Sequence, residues 1–162
     1  MAEISAAAVR ALRERTGLPM MDCKKALTEC QGDAEAAIRW LRERGAQLIV
    51  KRGDRETAFG RFGICAGFEP GVGAMVELKC ESVPVTQNEE FIQLANDLAR
   101  QLAQGPGAET AEQLLDQPSP SKPGMTLREQ KDDLFNRIRE VFNVGRIVRI
   151  AGPCGAYSHN AA

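Results

Sequence analysis

Three glycines divide the first part of the chain into three short amphipathic stretches. They are Gly17, Gly32 and Gly45. Before each glycine the apolar residues recur every three or four positions, which is the period of a helix with one buried face. Glycine ends helices readily because it adopts the left-handed backbone conformation without strain. The spacing therefore predicts three short helices joined by tight turns.

Capping residues and apolar positions define these helices more closely. Ser5 is a favourable N-cap for the first helix and Asp33 for the third. The residues expected on the buried sides are Val9, Leu12, Met21, Ala26, Leu27, Cys30, Ala37, Ile38 and Leu41. The pattern is typical of a three-helix module of the ubiquitin-associated type over residues 1–45. A module of about 45 residues buries little surface, so we expect it to act by surface contact with another protein.

Beyond this module the hydrophobic period changes from that of a helix to that of a strand. Residues 46–60 indicate a linker that begins helically and breaks at Gly53. Two alternating runs follow, in which Phe62, Ile64, Ala66 and Phe68 share one face of the first strand and Ala74, Val76, Leu78 and Cys80 share one face of the second. Pro70-Gly71 lies between the runs and predicts the turn of an antiparallel hairpin.

Two helices and a third strand come after the hairpin. A helical stripe from Phe91 to Leu102 predicts the first helix, and a second helix is expected at about 126–142. Residues 104–124 are rich in proline and glycine and predict a loop with a short helix at Ala111–Leu115. Arg146–Ile150 has the pattern of a strand.

This order of elements predicts an α+β fold. The three-helix module is followed by an antiparallel sheet with helices on one face. The predicted organisation is a partner-binding module at 1–45, a linker at 46–60, half of an α+β core at 61–152, and the start of a second half at 153–162.

The composition excludes several classes of protein. The chain has 21 basic and 22 acidic residues and a net charge of −1, without the basic field that nucleic-acid binding requires. No run approaches the ~20 apolar residues of a membrane span. The first ten residues, MAEISAAAVR, lack the apolar core of a signal peptide. We therefore expect a cytoplasmic protein that binds neither nucleic acid nor a membrane.

No motif in the sequence assembles an active site. The chain has no phosphate-binding glycine loop, no zinc-protease helix and no nucleophile elbow. Its five cysteines include no C-x-x-C pair and His159 is the only histidine, so a structural zinc site is not expected. We expect no catalytic residue, no metal and no cofactor.

Met20 and Met21 are the clearest candidates for a contact surface. Two adjacent residues of one helix cannot both face the same core, so one methionine should point outward. There its flexible thioether makes an adaptable contact with a partner. The alternative is that both side chains are half-buried.

Six segments of the sequence resemble the bacterial elongation factor Ts family. They are Leu12–Gly17 (LRERTG), Met20–Leu27 (MMDCKKAL), Arg42–Gly45 (RERG), Val76–Glu81 (VELKCE), Asn88–Phe91 (NEEF) and Val144–Arg149 (VGRIVR). The resemblance implies a translation factor that promotes GDP release from elongation factor Tu, not an enzyme with its own substrate. It also implies that Arg13, Met20 and Met21 grip the nucleotide domain of that partner.

The segment between Glu81 and Asn88 departs from the family pattern. Members of the family usually carry Thr-Asp-Phe-Val there, and the phenylalanine wedges into the partner and loosens its bound magnesium. The aligned residues here are Ser82, Val83, Pro84 and Val85. Proline is smaller than phenylalanine and has a fixed φ. The chain is therefore either an exchange factor or an exchange-deficient paralogue that binds or tethers elongation factor Tu without efficient exchange.

The resemblance also bears on assembly. Family cores usually contain two related halves, and only the start of the second half is recognised here. A single half should leave an apolar sheet face or edge uncovered, which proteins tend to hide. We therefore expect a homodimer, in which a second copy stands in for the other half.

Overall fold

The computed structural model describes residues 4–67 and 71–159 of the chain. The chain forms two compact units. The first comprises Met1–Gly53 with Phe135–Arg139, and the second comprises Asp54–Leu134 with Glu140–Ala162. The described residues form six α-helices and three antiparallel strands, which confirms the predicted α+β class.

The first unit is built on three helices, as the glycine spacing predicts. They are α1 (Ala6–Thr16), α2 (Met20–Glu29) and α3 (Ala34–Arg52). The predicted caps form, because the Ala8 amide donates to Ser5 Oγ at 3.2 Å and two amides of α3 donate to Asp33 Oδ1. Gly17 ends α1 with φ of 68°. The helices share a core of Val9, Leu12, Leu18, Cys23, Ala26, Leu27, Ala37 and Leu41.

Helix α3 does not end at Gly45, where the sequence pattern placed its end. It continues to Arg52, and the break comes at Gly53. Gly45 is buried, and a Cβ at this position would lie only 2.1 Å from Asn136 Oδ1. The glycine is therefore explained by the close approach of Asn136 to the helix backbone, not by helix termination.

The second unit contains a three-stranded antiparallel sheet. Its strands are β1 (Phe59–Cys65), β2 (Val72–Cys80) and β3 (Asn143–Ala151), in the spatial order β1-β2-β3. The predicted hairpin is confirmed by the pairing of β1 with β2, in which Ile64 lies opposite Met75. The predicted third strand is confirmed and longer than expected. The positions proposed for Phe68 and for Pro70 in the turn lie outside the described residues.

Helix α4 (Glu89–Gln104) covers one face of this sheet. The alternating residues of β2 are buried as predicted, and so is the stripe of α4. These residues are Ala74, Val76, Leu78 and Cys80 in the strand and Phe91, Leu94, Ala95, Leu98 and Leu102 in the helix. The predicted sheet with a helix on one face is therefore observed.

The residues of β1 that face α4 differ from the alternating set in the sequence. Gly63 lies opposite Val76, and a Cβ on Gly63 would be 1.8 Å from the carbonyl oxygen of Ala95 in α4. Phe62 lies on the other face and is exposed. An alternating pattern shows that a strand has two different faces but not which face is covered by another element. Here α4 approaches β1 so closely that the covered face is the one that carries Gly63.

The remaining helices are α5 (Ala111–Leu115), as predicted, and α6 (Leu127–Ile138). The predicted extension of α6 to residue 142 is wrong, because Arg139 has φ of 67° and leaves the helical conformation. Phe142 follows the helix and packs on Phe91, with ring centroids 5.3 Å apart. Among the described residues after β3, 152–159, there is no strand. The start of a second core half at 153–162 stays a prediction.

A buried carboxylate anchors the long loop between α5 and α6. Asp97, on α4, is 2% exposed. Its carboxylate accepts hydrogen bonds from Gln93 Nε2 and Gln130 Nε2, both at 2.9 Å, and from the hydroxyl of Ser121. Gln130 in turn accepts a hydrogen bond from Ser119 at 2.8 Å. Side-chain hydrogen bonds thus tie Ser121 of the proline-rich loop to α4 and Ser119 to α6.

Candidate functional site

Both methionines at the start of α2 are exposed. Met20 is 43% exposed and Met21 is 72% exposed. The prediction that one methionine points outward is confirmed, but the placement of Met21 on the buried side of α2 is wrong. Cys23 takes that place, because residues 23, 26, 27 and 30 recur at helical spacing whereas residue 21 falls on the opposite side.

An ion pair holds the first turn of α2 on which these methionines lie. Asp22 is paired with the guanidinium of Arg139, and Arg52 donates a hydrogen bond to the Arg139 carbonyl oxygen at 2.8 Å. No helical or strand periodicity in the sequence indicates this contact, since Asp22 and Arg139 are 117 residues apart. The pair restricts the turn that presents Met20 and Met21.

Arg13 lies exposed on the last turn of α1. Its carbonyl oxygen accepts the amide of Gly17 at 2.7 Å, which fixes the start of the loop that leads to Met20. The exposed Arg13 guanidinium therefore lies at a helix end whose backbone is fixed by this hydrogen bond. This exposure is what a partner-binding arginine requires.

The segment Ser82–Val85 opens a short 3-10 helix that spans Val83–Gln87. Val83 is 54% exposed and Pro84 is also exposed, whereas Val85 is only 7% exposed. Direct contact with another protein through this segment would therefore fall on Val83 and Pro84. Val85 is part of the core of the second unit.

Two glutamates hold the start of this segment. The amide and the hydroxyl of Ser82 both donate to the Glu140 carboxylate, at 3.1 and 2.6 Å. Glu81 accepts the amide of Val141 at 2.7 Å and the guanidinium of Arg55 at 3.1 Å. No sequence pattern indicates the contacts of Ser82 with Glu140 and of Glu81 with Val141, because the partners are about 60 residues apart.

The thiol nearest to this segment is not a nucleophile at neutral pH. Burial raises the pKa of Cys80 to about 11, and its Sγ donates to the carbonyl oxygen of Ser82 at 3.3 Å. Only the thiolate attacks electrophiles or binds metals readily. Cys80 is therefore a small buried residue that contacts the backbone of the segment.

The face of the sheet opposite α4 carries a row of exposed apolar side chains. Met75 lies between Ile64 and Val148 in the pairing, and residues directly opposite in a sheet share a face. Phe62, Met75, Val148 and Ile150 are exposed there. Beside the row, hydrogen bonds from Arg146 hold the pKa of Glu77 below its usual range. This open face is a second candidate contact surface.

Residues 4–67 and 71–159 contain no group of three or more histidine, cysteine, aspartate or glutamate side chains that could hold a metal ion. Within those ranges, no helix combines the length and the apolar character that crossing a membrane requires.

Comparison with known proteins identifies relatives. No protein-family model matches the chain. It is 50% identical to elongation factor Ts of Oleidesulfovibrio alaskensis over 103 residues, which cover 64% of this chain and 52% of the relative. It is 41% identical to elongation factor Ts of Rhodospirillum centenum over 164 aligned residues, 99% of this chain and 52% of the relative. For elongation factor Ts of Clostridium botulinum the values are 38% over 159 residues, 96% of this chain and 52% of the relative.

The chain belongs to the elongation factor Ts family. It spans about half the length of the curated relatives that it matches. The family assignment made from the six sequence segments is thus confirmed. The departure of Ser82–Val85 from the usual motif of elongation factor Ts, and the roles of Arg13, Met20 and Met21, stay predictions.

Proposed function

We propose that this chain is a guanine nucleotide exchange factor that binds elongation factor Tu and promotes the release of GDP. The observation that carries the proposal is the exposed Met20–Met21 pair on a first helical turn held by Arg139, in a chain of the elongation factor Ts family. Large apolar side chains displayed on a restricted turn are typical anchors of a protein interface. The factor acts in the cytoplasm on a GTPase partner, with no substrate, metal or cofactor of its own.

The proposed mechanism is differential binding. A factor that binds the nucleotide-free partner more tightly than the GDP-bound partner weakens GDP binding by the same ratio. In this scheme Arg13, Met20 and Met21 of the module at 1–45 anchor the complex. The exposed tip, Val83 and Pro84, presses on the region that holds the magnesium and the phosphates. An interaction that forms only in the state that releases GDP speeds the release without strengthening binding in the initial complex.

Stopped-flow kinetics test the exchange activity. Release of fluorescent GDP from elongation factor Tu is measured at increasing concentrations of the chain. The expected result is a release rate that rises with concentration and saturates. Binding detected by calorimetry, with no acceleration at saturation, would refute exchange and support the exchange-deficient alternative.

We also propose that a second copy of the chain covers the open sheet face. The row around Met75 is apolar and exposed, and sheets that carry such residues usually pack against another layer about 10 Å away. Light scattering should give twice the monomer mass of 17.6 kDa. Val148→Lys should yield the monomer, whereas Val50→Lys, on an exposed part of α3, should not. A monomeric native chain at high micromolar concentration would contradict the dimer.

A further inference from the structure

The Glu140 carboxylate makes two hydrogen bonds to a single residue. It accepts the backbone amide of Ser82 at 3.1 Å and the Ser82 hydroxyl at 2.6 Å. Hydrogen bonds to a charged acceptor are stronger than neutral ones. Ser82 is the residue immediately before the exposed tip formed by Val83 and Pro84, so this contact fixes the start of the tip.

The neighbouring residues repeat the contact in the opposite direction. The side chain of Glu81 accepts the backbone amide of Val141 at 2.7 Å. Each of two segments, 81–82 and 140–141, therefore supplies one carboxylate that binds the backbone of the other. Together the two contacts hold the residues that follow β2 against the residues that precede β3 more firmly than either contact alone.

The far end of the tip is fixed as well. Arg61 donates to the carbonyl oxygen of Thr86 at 2.8 Å, and the Thr86 hydroxyl donates to the carbonyl oxygen of Val83 at 2.7 Å. Val85 is buried. Val83 and Pro84 are thus exposed between two fixed ends. A segment that is already ordered loses less conformational freedom when it binds, so more of its contact energy acts on the partner.

We propose that Glu140 is a positioning residue for nucleotide exchange, which holds the Val83–Pro84 tip in the shape that acts on the partner. The inference rests on the proposed exchange function. The preceding residue, Arg139, instead pairs with Asp22 in the first turn of α2, which carries Met20 and Met21. Consecutive residues therefore serve two different surfaces, and their variants should affect two different kinetic parameters.

Stopped-flow release of fluorescent GDP from elongation factor Tu, over a range of chain concentrations, separates these parameters. Glu140→Ala should lower the maximal release rate about tenfold, the effect of losing charged hydrogen bonds, and should leave the half-saturating concentration within about twofold. Glu140→Gln should recover part of the rate because its amide oxygen still accepts a hydrogen bond. Arg139→Met should raise the half-saturating concentration and leave the maximal rate unchanged. Glu112→Gln, at an exposed glutamate paired with Arg128 on the surface, is the control.

The result that overturns the inference is a maximal rate equal to that of the native chain in Glu140→Ala, or a rise in the half-saturating concentration alone. Amide hydrogen exchange gives a readout that does not depend on nucleotide release. In Glu140→Ala the Ser82 amide should exchange faster, while amides of α1 keep their native rates. If the native chain does not accelerate release, the proposed function fails. The positioning of the tip is then decided by exchange at Ser82, and unchanged protection there refutes it.

Discussion

Gly63→Ala should sharply destabilise the second unit. A Cβ at position 63 would lie 1.8 Å from the carbonyl oxygen of Ala95 and 2.4 Å from its carbonyl carbon. Ordinary contacts begin at 3.4 Å, so β1 and α4 would have to separate by the difference of 1.6 Å. The obstructing atoms belong to the backbone of α4 at the buried residue Ala95 and cannot rotate away as a side chain could.

The expected magnitude follows from two opposing effects. Overpacking a core costs typically about 1–3 kcal/mol, and a clash with helix backbone places this substitution at the upper end of that range. Replacing glycine by alanine also reduces the freedom of the unfolded chain, which stabilises by about 0.4–1 kcal/mol. We therefore expect a net loss of about 2–2.6 kcal/mol in the free energy of unfolding.

Urea unfolding followed by far-ultraviolet circular dichroism measures this loss. Gly155→Ala is the matched control, since no atom lies within 4 Å of a Cβ at that position. The control should change the unfolding free energy by less than about 0.5 kcal/mol, as is usual for surface substitutions. Equal stability of Gly63→Ala and Gly155→Ala would refute the close packing of α4 on β1.

Three further predictions concern the contact surfaces and the polar network. Met20→Ala combined with Met21→Ala should weaken binding to elongation factor Tu by about 1–3 kcal/mol in calorimetry, and unchanged affinity with an intact fold would remove both residues from the interface. Val83→Asp with Pro84→Phe, which introduces at two exposed positions the residues that the family resemblance predicts there, should raise the GDP release rate and change affinity for the nucleotide-free partner little. No gain in rate would show that this segment is not an impaired wedge. Asp97→Asn should lower the unfolding free energy by about 1–3 kcal/mol, because the carboxylate accepts three hydrogen bonds and asparagine replaces one of the accepting oxygens with a donor. An unfolding free energy equal to that of the native chain would argue against the buried network.

The parts of the fold that depend on neighbours in sequence could be predicted. Ser5 and Asp33 cap helices through amides two or three residues away. The stripe from Phe91 to Leu102 forms one buried face of α4 as its spacing indicates. Exposure of a methionine at the start of α2 could be predicted for the same reason, because helical spacing fixes which residues share a side.

The parts that were missed depend on residues far away in sequence. The role of Gly45 is set by Asn136, and the role of Gly63 by the approach of Ala95. The hydrogen bonds between Ser82 and Glu140 join residues 58 apart. A single sequence contains no periodic signal for such contacts, since they arise only after the elements pack together. The supports of the candidate site therefore became visible only in the structure.

Calorimetry of the chain with two forms of elongation factor Tu, nucleotide-free and GDP-bound, tests the central claim most directly. A ligand that binds two states of a protein with equal affinity does not change the relative populations of those states, however tightly it binds. An exchange factor must therefore bind the nucleotide-free form more tightly, and we expect a difference of at least about tenfold, or 1.4 kcal/mol. Equal affinity for the two forms would contradict the exchange mechanism.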